Sequence, residues 1–238
     1  MSALYAMPFG ERCESCRKTP GGFLFSLSPD ALQAFEAAKH TSSYPPGAVL
    51  SLEGQESSGV LLLCKGRVKL TMTGSDAKSI IVRIAEPGEL IGLDGAISGK
   101  PTAMTAETFD PCIVHVIKRE ALRTLMHRHQ DLCVAVAEQL SNHYRSACSH
   151  IRSLGLSRTA SEKIAHFLLE WAAKGRQTEE GLRVNIPLKH EEIAQIIGVS
   201  RETVTRTLTE LRHKALITTR GPAVLIHDKS ALQALAVA

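Results

Sequence analysis

Two groups of residues in this chain have the types and spacing that chemistry needs. The first is the run Ser200-Arg201-Glu202-Thr203-Val204-Thr205-Arg206. In a helix starting there, Val204, Leu208 and Leu211 share one apolar face. Arg201, Glu202, Thr205 and Arg206 then fall on the opposite face, near the N-terminus. An Arg can grip guanine O6 and N7 with two hydrogen bonds, a Glu can accept from cytosine N4, and a Thr can meet a thymine methyl or a phosphate. The same residues on an isolated helix would be only a solvated face with a Glu202–Arg206 pair worth a few tenths of a kcal/mol, about the usual i,i+4 value. The second group is Cys13-Glu14-Ser15-Cys16. Where glutathione disfavours structural disulfides, a C-x-x-C pair binds metal or performs redox chemistry, or stands idle in solvent.

The elements needed to position the first group surround it. Ile193, Ala194 and Ile197 form a short apolar helical face, Gly198 makes a turn and Ser200 caps the next helix. Two helices joined by a tight glycine turn form a helix-turn-helix. Thr218 to Ile226, with Gly221-Pro222 in the middle, predicts a two-stranded wing. Residues 158–173 predict another amphipathic helix through Ile164, Ala165, Leu168 and Leu169, followed by an exposed loop from Gly175 to Arg183.

Upstream, residues 131–154 carry Leu132, Val136, Leu140, Ala147, Ile151 and Leu154 on one stripe, with Tyr144 alongside. Packing on a neighbouring domain and pairing with a second chain both bury such a stripe; its length favours pairing, so a homodimer is expected, with Gly155 as a hinge. Between about 44 and 118, short apolar runs alternate with turns such as Pro45-Pro46-Gly47, Gly74-Ser75-Asp76 and Pro87-Gly88. Leu61 to Leu70 predicts a half-buried strand with Lys65, Arg67 and Lys69 on one face and Leu62, Cys64, Val68 and Leu70 on the other. Strands so spaced form a small barrel or sandwich. Ser28-Pro29 starts a short helix over 28–40 that aligns Leu32 with Phe35.

Charge follows this division. Residues 1–150 hold 15 basic and 15 acidic side chains; residues 151–238 hold 13 and 9, so the whole net charge of +4 lies in the final third. A localised basic excess suits an anionic partner. The 44% hydrophobic and 22% charged fractions exclude a disordered chain and a disulfide scaffold. The longest apolar runs, such as Val60 to Cys64, are far shorter than the ~20 residues of a membrane span, and no signal-peptide pattern opens the chain. A cytoplasmic protein with no membrane partner is expected.

The motifs resemble the cyclic-AMP receptor protein and fumarate-nitrate regulator (CRP/FNR) family of bacterial transcription factors, over almost the whole chain. The family's DNA-binding signature, E-x-A-x-x-x-G-x-S-R-E-T-V-x-R-x-L, stands here as Glu192, Ala194, Gly198, Ser200 to Val204, Arg206 and Leu208. The sensor turn G-D-x-I-G is similar to Gly88-Glu89-Leu90-Ile91-Gly92, and L-x-x-G-x-V to Leu63-Cys64-Lys65-Gly66-Arg67-Val68. Lys189 replaces the Thr or Ser that often caps the first helix of the motif.

The resemblance implies an α+β chain in four parts: an N-terminal cysteine-containing segment (1–27), a β-roll sensor domain of the cyclic-nucleotide-binding type (28–130), a dimerisation helix and hinge (131–156), and a winged helix-turn-helix (157–238). It also implies a homodimer on palindromic double-stranded DNA, with recognition helices ~34–36 Å apart and RNA polymerase as a further partner. Arg201, Glu202 and Arg206 would read bases, with Ser200 and Thr205 beside them. In the cyclic-nucleotide branch a Glu after I-G holds the ribose and an Arg about ten residues later clamps the phosphate. Leu93 and Pro101 stand there, leaving Lys100 and Thr102 as the nearest donors, so nucleotide control is not expected.

In the oxygen-sensing branch, N-terminal cysteines and one from the β-roll hold a [4Fe–4S] cluster, which needs four thiolates. Cys13, Cys16 and Cys112 are the candidate ligands here, with Cys64 as fourth. Gly22 stands near the place of the branch's third N-terminal cysteine, and His115 competes with Cys112 for the distal position. Against this stand a thiol/disulfide pair, a zinc site and plain packing: Cys64 and Cys112 alternate with core residues, while Cys133 and Cys148 suit helix packing. His115, His127, His129 and His150 have no partner at ligand spacing and read as surface or strand residues. A regulator with no metal, either effector-independent or responsive to a nucleotide-like ligand, is the alternative. A thiol oxidoreductase using Cys13 and Cys16 is the enzyme rival, but no helix N-terminus follows the pair to lower a thiol pKa. No phosphate loop or nucleophile–base set is present, so a non-enzyme is expected.

Overall fold

A computed structural model describes residue 19 and residues 21–76, 78–156 and 159–237. Cys13 and Cys16 lie outside the described residues. The chain divides into two contact units, residues up to 72 with 83–145, and 73–82 with 146 onward.

In the first unit, helix α1 (Pro29–Ala38) starts at Ser28, whose side chain accepts from the Ala31 N–H. Eight strands follow along the chain, the stretch 73–82 that holds the end of the fourth and most of the fifth being counted with the second unit: β1 (His40–Tyr44), β2 (Val49–Ser51), β3 (Gly59–Lys65), β4 (Val68–Thr73), β5 (Ser79–Ala85), β6 (Leu90–Ile91), β7 (Thr105–Thr108) and β8 (Cys112–Lys118). They make two four-stranded sheets, ordered β1-β8-β3-β6 and β2-β7-β4-β5. Between the sheets lie Leu63, Val68, Leu70, Ile91, Ala106, Cys112 and Val114. A second core, on the outer side of the first sheet, joins Val60, Leu62, Leu90 and Ile117 to Phe35 of α1 and to Leu122, Leu132 and Val136 of the helices that follow. With both its faces covered, β3 reads as a continuous apolar run rather than an alternating one.

This corrects the expectation of one strand over Leu61–Leu70. Two strands meet at a turn on Gly66, whose φ of +84° suits glycine; a Cβ there would meet the Cys112 Sγ and the Pro111 carbonyl at 2.6 Å. The inward residues of β3 are also the opposite set from those expected: Leu63 enters the roll, whereas Leu62 packs on the helices with Cys64 beside it.

Helices α2 (Leu93–Ser98) and α3 (Arg119–Arg128) precede the long α4 (Gln130–Leu156). The stripe read for pairing divides in the structure. Leu132 and Val136 are buried in the core of their own unit, and Leu140 packs against it. The Leu154 side chain reaches to 2.8 Å from where a Cβ on Gly198 would stand. A different face of α4 is open: Val134, Ala137, Ser141, Tyr144, Cys148, Ile151 and Gly155 are all exposed. They recur alternately three and four residues apart, the spacing of one continuous helical face. Gly155 is the penultimate residue of α4, which ends at Leu156.

In the second unit, α5 (Ala160–Ala172) is capped by Thr159. Strands β9 (Arg176–Thr178), β10 (Gly181–Asn185), β11 (Ile217–Arg220) and β12 (Ala223–Ile226) form one sheet, ordered β11-β12-β10-β9. The loop expected over Gly175–Arg183 is therefore a hairpin that widens the wing. Its strands look like loop because β9 is a short edge whose residues mostly face solvent. Helices α6 (His190–Ile197) and α7 (Arg201–His213) cross this sheet's core through Ile193, Ile197, Val204, Leu208 and Leu211, and α8 (Lys229–Val237) adds Leu232.

Candidate nucleic-acid interface

The turn between α6 and α7 is built from backbone necessity. Gly198 adopts φ +66°, and its N–H closes α6 on the Ala194 carbonyl. Ser200 is extended, and its hydroxyl accepts from the Thr203 N–H at 3.2 Å. At the start of α6, Lys189 offers no side-chain acceptor. The Glu192 carboxylate accepts from the Lys189 N–H at 2.6 Å instead, supplying half of a capping box. The departure from a Thr or Ser cap thus leaves the helix start intact.

With Val204, Leu208 and Leu211 buried, the opposite face of α7 is open. Arg201, Glu202, Thr205, Arg206, Thr209 and Glu210 line one shallow concavity of about 560 Å³. Four of the five residues expected to meet DNA share this surface; Ser200 serves as the helix cap. Neither Arg201 nor Arg206 makes a salt bridge among the described residues, so the Glu202–Arg206 pair of a merely solvated face is not formed. The backbone N–H of Glu202 and the Ser200 hydroxyl, aided by Arg201, hold the Glu202 carboxyl below the usual carboxylate range. It is an acceptor-only group at neutral pH, the form that suits a cytosine amine.

Sequence reasoning missed two residues on this surface. Thr209 donates to the Thr205 carbonyl and receives the Arg212 guanidinium at 2.9 Å. His190, first in α6, places Nδ1 2.8 Å from the Thr205 Oγ1. The only signal for His190 is its place at the mouth of the motif.

The sensor turn is tied to α4 within its own unit. Gln139, buried, accepts from the Leu90 N–H at 3.0 Å. Glu89 pairs with Arg83, and His143 Nε2 lies 3.6 Å from the same carboxylate, at ion-pair rather than hydrogen-bond distance. Burial opposes ionisation of Glu89, but His143, Arg83 and the Glu86 N–H outweigh it and hold the carboxyl low. At the nucleotide positions, Leu93 is 2% exposed and packs in the core, Pro101 and Lys100 are exposed, and the Thr102 hydroxyl donates to the Leu52 carbonyl at 2.7 Å. Leu93 and Pro101 themselves bring neither a carboxylate nor a cation to those two positions.

The described cysteines do not fit a four-thiolate cluster. Cys112 is 2% exposed, and its thiol donates to the Asp110 and Arg67 carbonyls at 3.1 and 3.3 Å. Burial pushes that thiol up, away from the thiolate that a metal needs. Cys64 directs its sulfur at the Leu62 carbonyl. Among the described residues no three His, Cys, Asp or Glu groups converge as metal ligands. His115 is 1% exposed, held by Thr41 and Lys39 at 2.9 and 3.3 Å, so it is a buried strand residue. No helix of the described residues is long and apolar enough to cross a membrane.

Comparison with known proteins agrees with this architecture. A cyclic nucleotide-binding domain matches residues 41–129 and a Crp-like helix-turn-helix domain matches residues 162–235. The nitrogen fixation regulation protein FixK of Bradyrhizobium diazoefficiens is 27% identical over 243 residues, covering 100% of this chain and 99% of its own. A CRP-like cAMP-activated global transcriptional regulator of Mycobacterium tuberculosis is 26% identical over 212 residues, covering 89% and 94%. The solved structure of FixK2 from Bradyrhizobium japonicum superposes with a TM-score of 0.72 at 24% identity, over 84% of this chain and 98% of that one. A nucleotide-binding-type roll, a long helix and a winged helix-turn-helix in that order, with the reading-helix signature intact, make this chain a member of the CRP/FNR family of DNA-binding transcription regulators.

Proposed function

We propose that this regulator acts in the cytoplasm as a homodimer on a palindromic operator, with Arg201, Glu202, Thr205 and Arg206 meeting base edges and Ser200 fixing the start of the reading helix. The observation that carries the reading is the open face of α7: two arginines without salt-bridge partners among the described residues and an ionised glutamate on one solvent-facing surface, backed by a fully packed apolar face. Residues 131–156 join the copies through the exposed seam from Val134 to Gly155, and RNA polymerase is the protein partner of the DNA-bound dimer. Signals reach the DNA-binding part through α4, which the Leu90–Gln139 hydrogen bond and the Glu89–His143 pair attach to the sensor turn. Two states of that attachment holding α4 differently would change DNA affinity.

The effector is not a cyclic nucleotide held in the usual manner, because Leu93 and Pro101 replace the groups it needs. A redox role would rest on Cys13 and Cys16; the Cys112 thiol is turned to the Asp110 carbonyl within the roll. The test of the base-reading assignment is binding of Arg201→Ala and Arg206→Ala to a selected operator and to random duplex across a salt series. Each is expected to lose the preference for the operator, about 1–3 kcal/mol per bidentate arginine, while salt-sensitive binding to random DNA persists. Equal losses on both DNAs would refute it.

A further inference from the structure

The hydrogen bond from α6 to the reading face has a consequence for specificity. The Thr205 hydroxyl has one proton, and it donates that proton to the Arg201 carbonyl one turn back, at 3.1 Å. Its oxygen can therefore only accept at the second contact, 2.8 Å from His190 Nδ1, so that nitrogen carries the ring's proton. A helical threonine has two open χ1 rotamers; the bond back to the Arg201 carbonyl favours one of them from within α7, and the His190 contact holds the same one from outside it. Here the hydroxyl's proton and one of its two acceptor lone pairs are directed back into the protein. What Thr205 then offers on the open surface shared with Arg201, Arg206 and Thr209 is its methyl group.

We infer that His190 is a positioning residue for base recognition: by holding the Thr205 hydroxyl it turns the Thr205 methyl toward the groove, where it reads a thymine 5-methyl by apolar contact. The inference rests on the DNA-reading function proposed above and adds to it a residue outside the recognition helix and a ligand chemistry for Thr205. Of the options open to a threonine at DNA, donating to a phosphate or a base acceptor needs the hydroxyl proton, and that proton is held by the Arg201 carbonyl.

Uracil in place of thymine removes only the 5-methyl, so the test is a thymine-to-uracil scan of an operator selected by the full chain from randomised duplex. At one thymine per half-site the wild-type chain is expected to bind the uracil duplex roughly fourfold more weakly, the value of one buried methyl-sized group. Thr205→Ser keeps the hydroxyl and loses the methyl, and should bind the thymine and uracil duplexes equally. His190→Ala should lose most of the discrimination, as the two rotamers repopulate by roughly fivefold, the net worth of one hydrogen bond. His190→Asn places an amide N–H near the former Nδ1 and should restore it. A purely structural His190 would lower affinity for both duplexes alike. An operator with no uracil-sensitive thymine, or full discrimination in His190→Ala, would overturn the inference and leave DNA reading standing. If no preferred sequence emerges from the selection, the proposed function itself falls, and the inference with it.

Discussion

Replacing Ile151 by alanine separates the two faces of α4. Ile151 is 68% exposed in the single chain and sits on the three-four seam with Tyr144, itself 72% exposed. Complete burial of an isoleucine is worth about 1.5–3 kcal/mol, so covering the exposed two-thirds contributes about 1–2 kcal/mol per copy and about 2–4 kcal/mol per symmetric dimer. Alanine keeps a fraction of that contact, which leaves a loss of about 1.5–3 kcal/mol, roughly tenfold to hundredfold in the dimer dissociation constant. Sedimentation equilibrium over a dilution series measures it directly. The fold of each chain should be undisturbed, because an exposed substitution changes stability by no more than about 0.5 kcal/mol. Leu132→Ala is the contrast: it opens a cavity inside one chain and should cost about 2–5 kcal/mol of fold stability. If Ile151→Ala and Tyr144→Ala leave the dimer constant unchanged while fold-neutral substitutions elsewhere on α4 dissociate it, the seam has been assigned to the wrong face.

Gly198→Ala forces a left-handed residue and drives a Cβ to 2.8 Å from Leu154; the left-handed conformation alone should destabilise the DNA-binding unit by about 1–2 kcal/mol, read as a lowered melting temperature. Because the Glu89 carboxyl is held below its ordinary range, its contribution to stability is present at neutral pH and is lost as pH falls through that lowered value. Chemical denaturation across an acid series should show that loss in the wild-type chain and a flatter profile in Glu89→Gln; identical profiles would remove the role given to the Arg83–Glu89–His143 cluster. In the dissociated Ile151→Ala chain, mass spectrometry after brief alkylation should find, among the four described cysteines, Cys148 labelled first and Cys112 last, since Cys112 is buried with its thiol pushed up and Cys148 is exposed. Equal rates would contradict the packing of the roll.

Much of the DNA-binding part was legible in the chain itself. Helix-turn-helix signals are local: an apolar face at helical spacing, a glycine where the backbone turns left-handed, a serine acceptor at a cap. Ser200, Gly198 and the Val204–Leu208–Leu211 face each sit within a few residues of what they act on. The β9–β10 hairpin was less visible because an edge strand that is exposed on nearly every residue has the composition of a loop. The inner and outer residues of β3 escaped for the opposite reason, since a strand covered on both sides shows no alternation.

Sequence alone determined which residues face away from the core of α7 and where the charge lies. Only the tertiary structure decided which stripe of α4 remains open, because Leu132 and Ile151 are equally apolar and only the packed roll distinguishes them. It also decided the state of Cys112, whose thiol faces carbonyls contributed by a turn 45 residues away in sequence as well as by its own neighbour Asp110. The same is true of His190, fifteen residues from Thr205. A helix period or a cap is specified by residues within one turn of each other, whereas the partner of a long-range hydrogen bond exists only once two elements have packed.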